Sequence, residues 1–167
     1  MPDELNDFPR PRLFCSECIT FNSCRWNGAI ISSNFVDLLK KYVDFTTACP
    51  EREIGLGVPR ESIRIVEING QQRLIQSKTG MDVSEQMLNF ADEYLARLPP
   101  LDGFILKGKS PSCGLAQVNL YRGVDQKGTA DRTIGFFGKK VLEKWQGIPT
   151  TDEGRMENFR LREDFLT

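Results

Sequence analysis

The sequence contains no histidine among its 167 residues. Imidazole is the side chain that most often moves protons near neutral pH, and it is also the commonest ligand of protein-bound metals. Its absence excludes Ser-His-Asp and Cys-His catalysis, His-ligated zinc and histidine proton relays. Any chemistry in this chain therefore depends on cysteine, carboxylate, serine, tyrosine or lysine side chains, on the backbone, or on a bound cofactor.

Long apolar runs and an excess of one charge sign are also missing. Charged or polar residues interrupt every candidate run well before the ~20 residues that a membrane-spanning helix needs. The 22 lysines and arginines balance 23 aspartates and glutamates, for a net charge of -1, so bulk electrostatics do not hold nucleic acid phosphates. We therefore expect no membrane association, and we do not expect nucleic acid as the main partner.

Three common cofactor motifs are absent as well. No GxGxxG follows a predicted strand, no GxxxxGK[ST] occurs, and there is no CxxxCxxC. These patterns are typical of dinucleotide binding, of phosphate binding in a P-loop and of radical adenosylmethionine enzymes, respectively. The sequence thus lacks support for nucleotide cofactors, phosphoryl transfer or radical chemistry.

The order of the apolar segments predicts an α/β fold. Residues 1–12 carry three prolines and alternating charge, which is typical of an N-terminal arm. Residues 13–167 are expected to form one domain, since 40% of the chain is apolar and suffices for a single core. Short apolar strands alternate there with amphipathic helices, and Asn69-Gly70 predicts a hairpin turn. This order favours a three-layer Rossmann-like domain with a central parallel sheet and an added β-hairpin.

Helical periodicity is clearest in three places. After a cap at Ser32 or Ser33, the predicted buried face carries Phe35, Leu38, Leu39 and Tyr42. After Asp82, the predicted face carries Met87, Ala91, Tyr94 and Leu98. A third helix is indicated by Ile134, Phe137, Val141, Leu142 and Trp145. Residues 43–48 and 102–107 predict strands, and residues 150–166 predict a helical end of the chain.

Five cysteines are the most informative residues that are present: Cys15, Cys18, Cys24, Cys49 and Cys113. Their odd number, the lack of a secretion signal at the start and a chain too large to need disulfide staples favour a reducing cytoplasm. Cys18, Cys49 and Cys113 each follow a predicted strand. Since ligands of parallel sheets bind beyond the carboxyl ends of the strands, these three thiols are expected to meet at one rim.

The available ligand types favour an iron–sulfur cluster at that rim. Without histidine, zinc needs four thiolates or carboxylates and only one close cysteine pair exists, whereas iron–sulfur clusters are held by cysteine alone. Zinc, and structural or redox-active thiols, remain alternatives. An alternative function for the whole protein is a cysteine-rich metal-binding module with a structural or regulatory role. A third possibility is an RNA-binding accessory protein, which the balanced charge disfavours.

A cubane cluster held by only three cysteines leaves one iron without a protein ligand, and that iron is a Lewis acid. Soft metal centres prefer sulfur donors, so a thiocarbonyl compound is a suitable guest. Glu51, two residues after Cys49, is a candidate to deliver a proton or orient water, with a solvated turn carboxylate as the alternative. Ser110 and Ser112 are candidates to hydrogen-bond cluster sulfides or substrate, with turn formation as the alternative.

Three sequence motifs follow one another along the chain. They are Cys18 followed by Arg25-Trp26-Asn27-Gly28, then Cys49-Pro50-Glu51 with Gly55-Leu56 and Pro59-Arg60, then Lys107 with Ser110-Pro111-Ser112-Cys113-Gly114. In this order they resemble the thiouracil desulfurase (TudS-like) family, over roughly residues 12–125. The combination of three motifs is highly specific.

The resemblance implies a [4Fe-4S] cluster held by Cys18, Cys49 and Cys113, with its fourth iron free to take the substrate sulfur. It implies a non-redox desulfuration, in which sulfur passes from a thiolated pyrimidine to iron, water replaces it at carbon, and sulfide leaves. The implied partner is a small molecule, a base or nucleoside of the 2-thiouracil or 4-thiouracil type. The resemblance leaves open whether thiolated bases in tRNA are also substrates.

The resemblance also implies catalytic roles for Glu51 and for a serine of the third motif. Position within the motif favours Ser110 for that role, while Ser112 lies next to a ligand and suits support of the cofactor. Cys15 and Cys24 are additional cysteines around the first ligand. Either of them is a candidate to bind the fourth iron in place of the substrate, which would block the implied chemistry. We favour spectators, because Cys18 has the spacing to Arg25 that the family motif requires.

Overall fold

A computed structural model describes residues 8–123 and 131–167 of the chain. In chain order its elements are β1 (Arg12–Ser16), α1 (Asn34–Leu39), β2 (Asp44–Ala48), α2 (Pro50–Glu53), β3 (Ile63–Ile68), β4 (Gln71–Gln76), α3 (Ser84–Arg97), β5 (Gly103–Leu106), β6 (Val118–Tyr121), β7 (Asp131–Thr133), α4 (Phe136–Lys144), β8 (Thr150–Asp152), α5 (Glu153–Met156) and α6 (Phe159–Leu166).

The first sheet is parallel and lies at the centre of the molecule. Its strand order is β2-β1-β5-β8, and each neighbouring pair is parallel. The two central strands, β1 and β5, are buried along almost their whole length. Parallel sheets covered on both faces need such continuous apolar strands, which is why short runs such as Gly103–Leu106 form them. The predicted α/β class with a central parallel sheet is confirmed.

Two hydrophobic clusters cover the two faces of this sheet. Phe14, Phe104 and Leu106 pack with α3 and α4 in one cluster. Leu13 and Ile105, their neighbours along the same strands, pack with α1 and α5 in the other. Successive residues of a strand point to opposite faces, so one run of apolar residues serves both layers of helices. This arrangement is the predicted three-layer domain.

The predicted hairpin forms at Asn69 and Gly70, both with positive φ, 51° and 77°. Such values suit the tight two-residue turns that match the twist of antiparallel strands. The hairpin strands β3 and β4 belong to a second four-stranded sheet of order β4-β3-β6-β7, in which β6 runs parallel to β3. Strands β6 and β7 were not predicted, because three or four residues are too few to show a period of two.

The first helix is shorter than its periodicity predicts, and its buried face is different. Ser33 does cap the helix, since its Oγ accepts a hydrogen bond from the backbone N–H of Val36 at 3.3 Å. Val36 and Leu39 are buried, whereas Leu38 and Tyr42 are 48% and 47% exposed. The prediction of Leu38 and Tyr42 as core residues is wrong. The helix ends at Leu39, so Tyr42 lies outside the periodic segment.

The sequence predicts helix throughout residues 150–166, and this prediction is wrong for the first three residues. Strand β8 comes first and pairs in parallel with β5, and only then do α5 and α6 follow. Asp152 caps α5, accepting a hydrogen bond from the N–H of Arg155 at 2.8 Å.

No helix among the described residues is both long and apolar enough to span a bilayer.

Candidate functional site

A pocket of about 290 Å³ lies beyond the carboxyl ends of β1, β2 and β5. Each of these strands leads into a loop or helix turn that lines the pocket. All six residues singled out in the sequence line it together: Cys18, Cys49, Glu51, Ser110, Ser112 and Cys113. The structure therefore brings together residues that are up to 95 positions apart in the chain, from 18 to 113.

Three of these residues are buried thiols that influence one another electrostatically. Cys18, Cys49 and Cys113 are only 9%, 7% and 3% exposed. Burial, followed by the charge of Cys49, raises the pKa of Cys18 to about 12. Burial also raises the pKa of Cys113, and the charges of Cys18 and Cys49 add to that increase. Three thiolates in this pocket would repel one another, so a cationic centre is the partner that would stabilise them together.

The donor set of the pocket suits an iron–sulfur cluster. Cysteine sulfur is the ligand that such clusters require, and the pocket holds several thiols with no histidine in the chain. Within residues 8–123 and 131–167, no three Cys, Asp or Glu side chains stand close enough together to hold one metal ion. Ligands of a multi-iron cluster need not converge on one point, because each thiolate binds a different iron.

Cys49 differs from the other two thiols because its surroundings favour the thiolate. It stands at the N-terminus of α2, directly after β2. A hydrogen bond from Cys24 lowers its pKa to about 7 against the effect of burial, and the N–H of Arg52 and the charge of Arg60 act in the same direction. Thiolates are the ligand form of cysteine, so Cys49 is the thiol most ready to bind metal near neutral pH.

The two additional cysteines have different surroundings. Cys15 lies within β1, is fully buried in the cluster that contains α1, and does not line the pocket. Cys24 does line the pocket, and its Sγ forms a hydrogen bond with Cys49 that strongly raises the pKa of Cys24 itself. The expectation of a spectator fits the position of Cys15. Cys24 instead lies in direct contact with one of the predicted ligands.

Glu51 is held by a network of hydrogen bonds. Its Oε1 accepts a hydrogen bond from Ser112 Oγ at 3.1 Å, and Ser112 Oγ lies 2.9 Å from Ser110 Oγ. The other carboxylate oxygen, Glu51 Oε2, lies 2.8 Å from Arg60 Nε and 2.7 Å from Arg60 Nη2. A carboxylate that is only 8% exposed needs such partners, because an unpaired buried charge is costly. The alternative of a solvated turn carboxylate does not describe this residue.

The segment 110–114 owes its shape to local hydrogen bonds. Ser110 Oγ accepts the backbone N–H groups of Ser112 at 3.2 Å and of Cys113 at 3.1 Å. Gly114 permits the close return of the chain, since a Cβ there would lie 2.3 Å from Val118 Cγ2 and 2.7 Å from Ser110 O. This tight loop directs Cys113 toward the pocket, with Ser112 Oγ 3.8 Å from its Sγ.

Contacts from distant parts of the chain complete the pocket, and sequence reasoning missed them. Lys107 Nζ forms an ion pair with Glu153 Oε1 at 2.8 Å, and Glu153 Oε2 accepts the N–H of Gly108 at 2.7 Å. Ser16 Oγ accepts the N–H of Lys107 at 2.9 Å and so joins the ends of β1 and β5. No motif contains Ser16 or Glu153, so no sequence signal could have identified them.

Exposed and half-exposed residues from the first motif, and from the segment that precedes Ser110, also line the pocket. Trp26 is 46% exposed and lines the pocket together with Arg25 and Lys109. The structure places Trp26 at the rim of the pocket. Its aromatic surface is available to a planar ligand in the pocket.

Comparisons with known proteins agree with these features. A family model described as 2-thiouracil desulfurase matches residues 13–153. A solved structure described as the [4Fe-4S]-dependent thiouracil desulfidase TudS is 22% identical and has a TM-score of 0.62, with 93% of this chain and 99% of that chain covered. At that identity the likeness shows a shared fold. No curated protein matches the chain. The resemblance found in the three motifs is thus confirmed by the family model, and this chain belongs to the 2-thiouracil desulfurase family.

Proposed function

We propose that this protein removes sulfur, as sulfide, from a small thiolated pyrimidine with the help of a [4Fe-4S] cluster. The observation that carries the proposal is the convergence of Cys18, Cys49 and Cys113 in one pocket beside Glu51 and Ser112. Membership of the 2-thiouracil desulfurase family supports the type of substrate, and the solved relative of similar fold is described as [4Fe-4S]-dependent.

Cys18, Cys49 and Cys113 are the residues that would hold the cluster. They come from three separate loops, and their mutual repulsion as thiolates is relieved by binding to iron. When bound, the cluster supplies a Lewis-acidic iron that lacks a protein ligand and is suited to a sulfur donor. Ser112, whose Oγ lies 3.8 Å from Cys113 Sγ, supports this ligand by direct contact while its hydrogen is donated to Glu51.

The protein's own groups would orient the reactants and handle protons. The overall change is hydrolytic: a thiocarbonyl and water become a carbonyl and hydrogen sulfide, with no change in oxidation state. Glu51 accepts a proton from the attacking water and later returns one to the departing sulfur. Ser110 positions the water or the substrate through Ser112 and Glu51, since its hydroxyl is part of the hydrogen-bonded network that ends at Glu51.

The size and surroundings of the pocket support a small-molecule substrate. About 290 Å³ lies at the lower end of the range of ligand pockets, and the cluster would share this space, so the pocket favours a small substrate such as a pyrimidine base or nucleoside. We propose that residues 13–167 act as a single desulfurase domain behind an arm of residues 1–12. Its five free cysteines suit a reducing compartment such as the cytoplasm.

The test is metal analysis and assay of the protein purified without air. We expect about four iron and four sulfide per chain and a brown colour. Incubation with 2-thiouracil, 4-thiouracil and their nucleosides should release sulfide and the corresponding oxygenated base. Loaded protein that releases no sulfide from any of these compounds would contradict the proposal. Zinc without inorganic sulfide would instead support a structural or regulatory metal-binding module.

A further inference from the structure

Arg60 is almost completely enclosed at the wall of the pocket, with a side chain that is 3% exposed. A guanidinium group has five N–H donors. In this protein Nε and Nη2 approach Glu51 Oε2, Nη1 donates to the carbonyls of Cys24 at 2.9 Å and Gly57 at 2.8 Å, and Nη2 also lies 3.9 Å from Cys49 Sγ. Every donor is therefore used within the protein, which leaves Arg60 no donor for a substrate.

These contacts divide the two oxygens of Glu51 between two partners. Arg60 occupies Oε2 from two of its nitrogens, at 2.8 and 2.7 Å. Oε1 remains for Ser112 Oγ, which lies 3.1 Å away. Two donors of one rigid fork hold Oε2 in place, and since both oxygens are bonded to the same carbon, this anchor restricts Oε1 to positions near Ser112.

The hydrogen bonds that join Ser110, Ser112 and Glu51 all run in one direction. Ser110 Oγ already accepts two backbone N–H groups, so both of its lone pairs are used. Its hydroxyl hydrogen is left to be donated to Ser112 Oγ, 2.9 Å away. Ser112 in turn donates its hydrogen to the carboxylate of Glu51, a stronger acceptor than the sulfur of Cys113 at 3.8 Å. The chain therefore runs from Ser110 through Ser112 to Glu51.

We infer that Arg60 is a positioning residue, which fixes the carboxylate of Glu51 and thereby orients the hydroxyl groups of Ser112 and Ser110 toward it. The inference rests on the proposed function, because it assigns Arg60 to the support of that reaction. It differs from a purely structural role in one respect. Arg60 would act on turnover through the position of Glu51, and not only on folding.

The first test compares Arg60→Ala with Arg60→Lys in protein loaded with iron. Displacement of Glu51 by about 1 Å lowers kcat about 100-fold, while KM changes less than threefold, since Arg60 does not contact the substrate. Lysine fills much of the same space but lacks the planar fork, so Arg60→Lys should remain strongly impaired while folding normally. Millimolar guanidinium should restore part of the activity of Arg60→Ala. Arg73→Ala, which removes another arginine that pairs with two carboxylates, is the control and should keep kcat.

The second test asks whether Arg60 acts through Glu51. In a Glu51→Gln background, Arg60→Ala should lower kcat by less than a further threefold, because the carboxylate that Arg60 positions is already lost. Independent losses that multiply in the double variant would overturn the inference. So would an Arg60→Lys variant that retains the wild-type kcat.

A crystal structure of the Arg60→Ala protein gives a readout that does not depend on activity. Glu51 Oε1 should move out of hydrogen-bond distance of Ser112 Oγ. A carboxylate that keeps this contact without Arg60 would overturn the inference. If wild-type protein loaded with iron releases no sulfide, the proposed function fails, while the crystal structure still decides whether Arg60 positions Glu51.

Discussion

Two sets of residues that line the pocket differ in how firmly their side chains are held. In the first set, Glu51, Ser112 and Arg60 are buried or half-buried and are joined by hydrogen bonds of 3.1 Å or less. In the second set, Trp26 and Lys109 are exposed, and no side-chain hydrogen bond or ion pair joins them to any other residue that the structure describes, although the carbonyl of Trp26 accepts the N–H of Arg60 at 2.7 Å. We call the first set the fixed wall and the second set the open wall.

This difference matches two different demands on the site. Groups that move protons must be oriented before the substrate arrives, since small displacements of catalytic groups are costly. Groups that only contact the substrate can remain exposed, because the ligand itself completes their burial. Substitutions on the fixed wall should therefore affect kcat or cofactor binding, and substitutions on the open wall should affect KM.

The largest expected effect is that of Cys113→Ala, next to Ser112 of the fixed wall. Removal of a proposed cluster ligand should abolish both the iron content and the release of sulfide. Cys15→Ala is a closely matched control, because Cys15 is also a buried thiol but does not line the pocket. It should keep iron and activity, as measured by metal analysis and a sulfide assay. Equal iron loss in both variants would show that Cys113 has no special role.

The next largest effect is expected from Glu51→Gln. The amide keeps the size of the side chain but cannot accept a proton, so kcat should fall about 10³-fold while the iron content is unchanged. Glu53→Gln changes an exposed glutamate of the same short helix and should leave kcat unaltered. Turnover that survives in Glu51→Gln would remove this residue from the reaction.

A smaller and different effect is expected on the open wall. Trp26→Ala should raise KM about tenfold with little change in kcat, because stacking of an aromatic ring on a base contributes about 1–3 kcal/mol. Trp26→Phe keeps an aromatic face and should recover most of the affinity. Steady-state kinetics with a thiolated pyrimidine measure both constants. A fall in kcat at constant KM would contradict the division into two walls.

The parts of the site that the sequence predicts are those that follow strand ends. Cys49 directly follows β2, and the Ser110–Gly114 segment follows β5, so local pattern and parallel topology together were enough to place them. The hairpin at Asn69-Gly70 was predictable for a similar reason, since its turn requires residues that tolerate positive φ.

What the sequence does not predict are contacts between segments that carry no local signal. The ion pair of Arg60 with Glu51 depends on how the chain returns after α2, and nothing in the motif that contains Arg60 predicts it. Arg60 also donates to the carbonyls of Cys24 and Gly57. Glu153 reaches Gly108 across 45 positions. The buried face of α1 also depended on where that helix ends rather than on its composition.

The smallest expected effect concerns Cys24, which contacts the fixed wall without being a predicted ligand. In protein freed of metal, its hydrogen bond is the main cause that lowers the pKa of Cys49 to about 7. Only the thiolate reacts with iodoacetamide, so alkylation of Cys49 should increase through about pH 7 in the wild type. In Cys24→Ala this increase should shift to higher pH, toward the ordinary thiol value of 9.0. Peptide mass spectrometry across a pH series measures the shift. Cys15→Ala, which leaves the pocket intact, should keep the wild-type profile, and an identical profile in Cys24→Ala would show that Cys24 does not tune the predicted ligand.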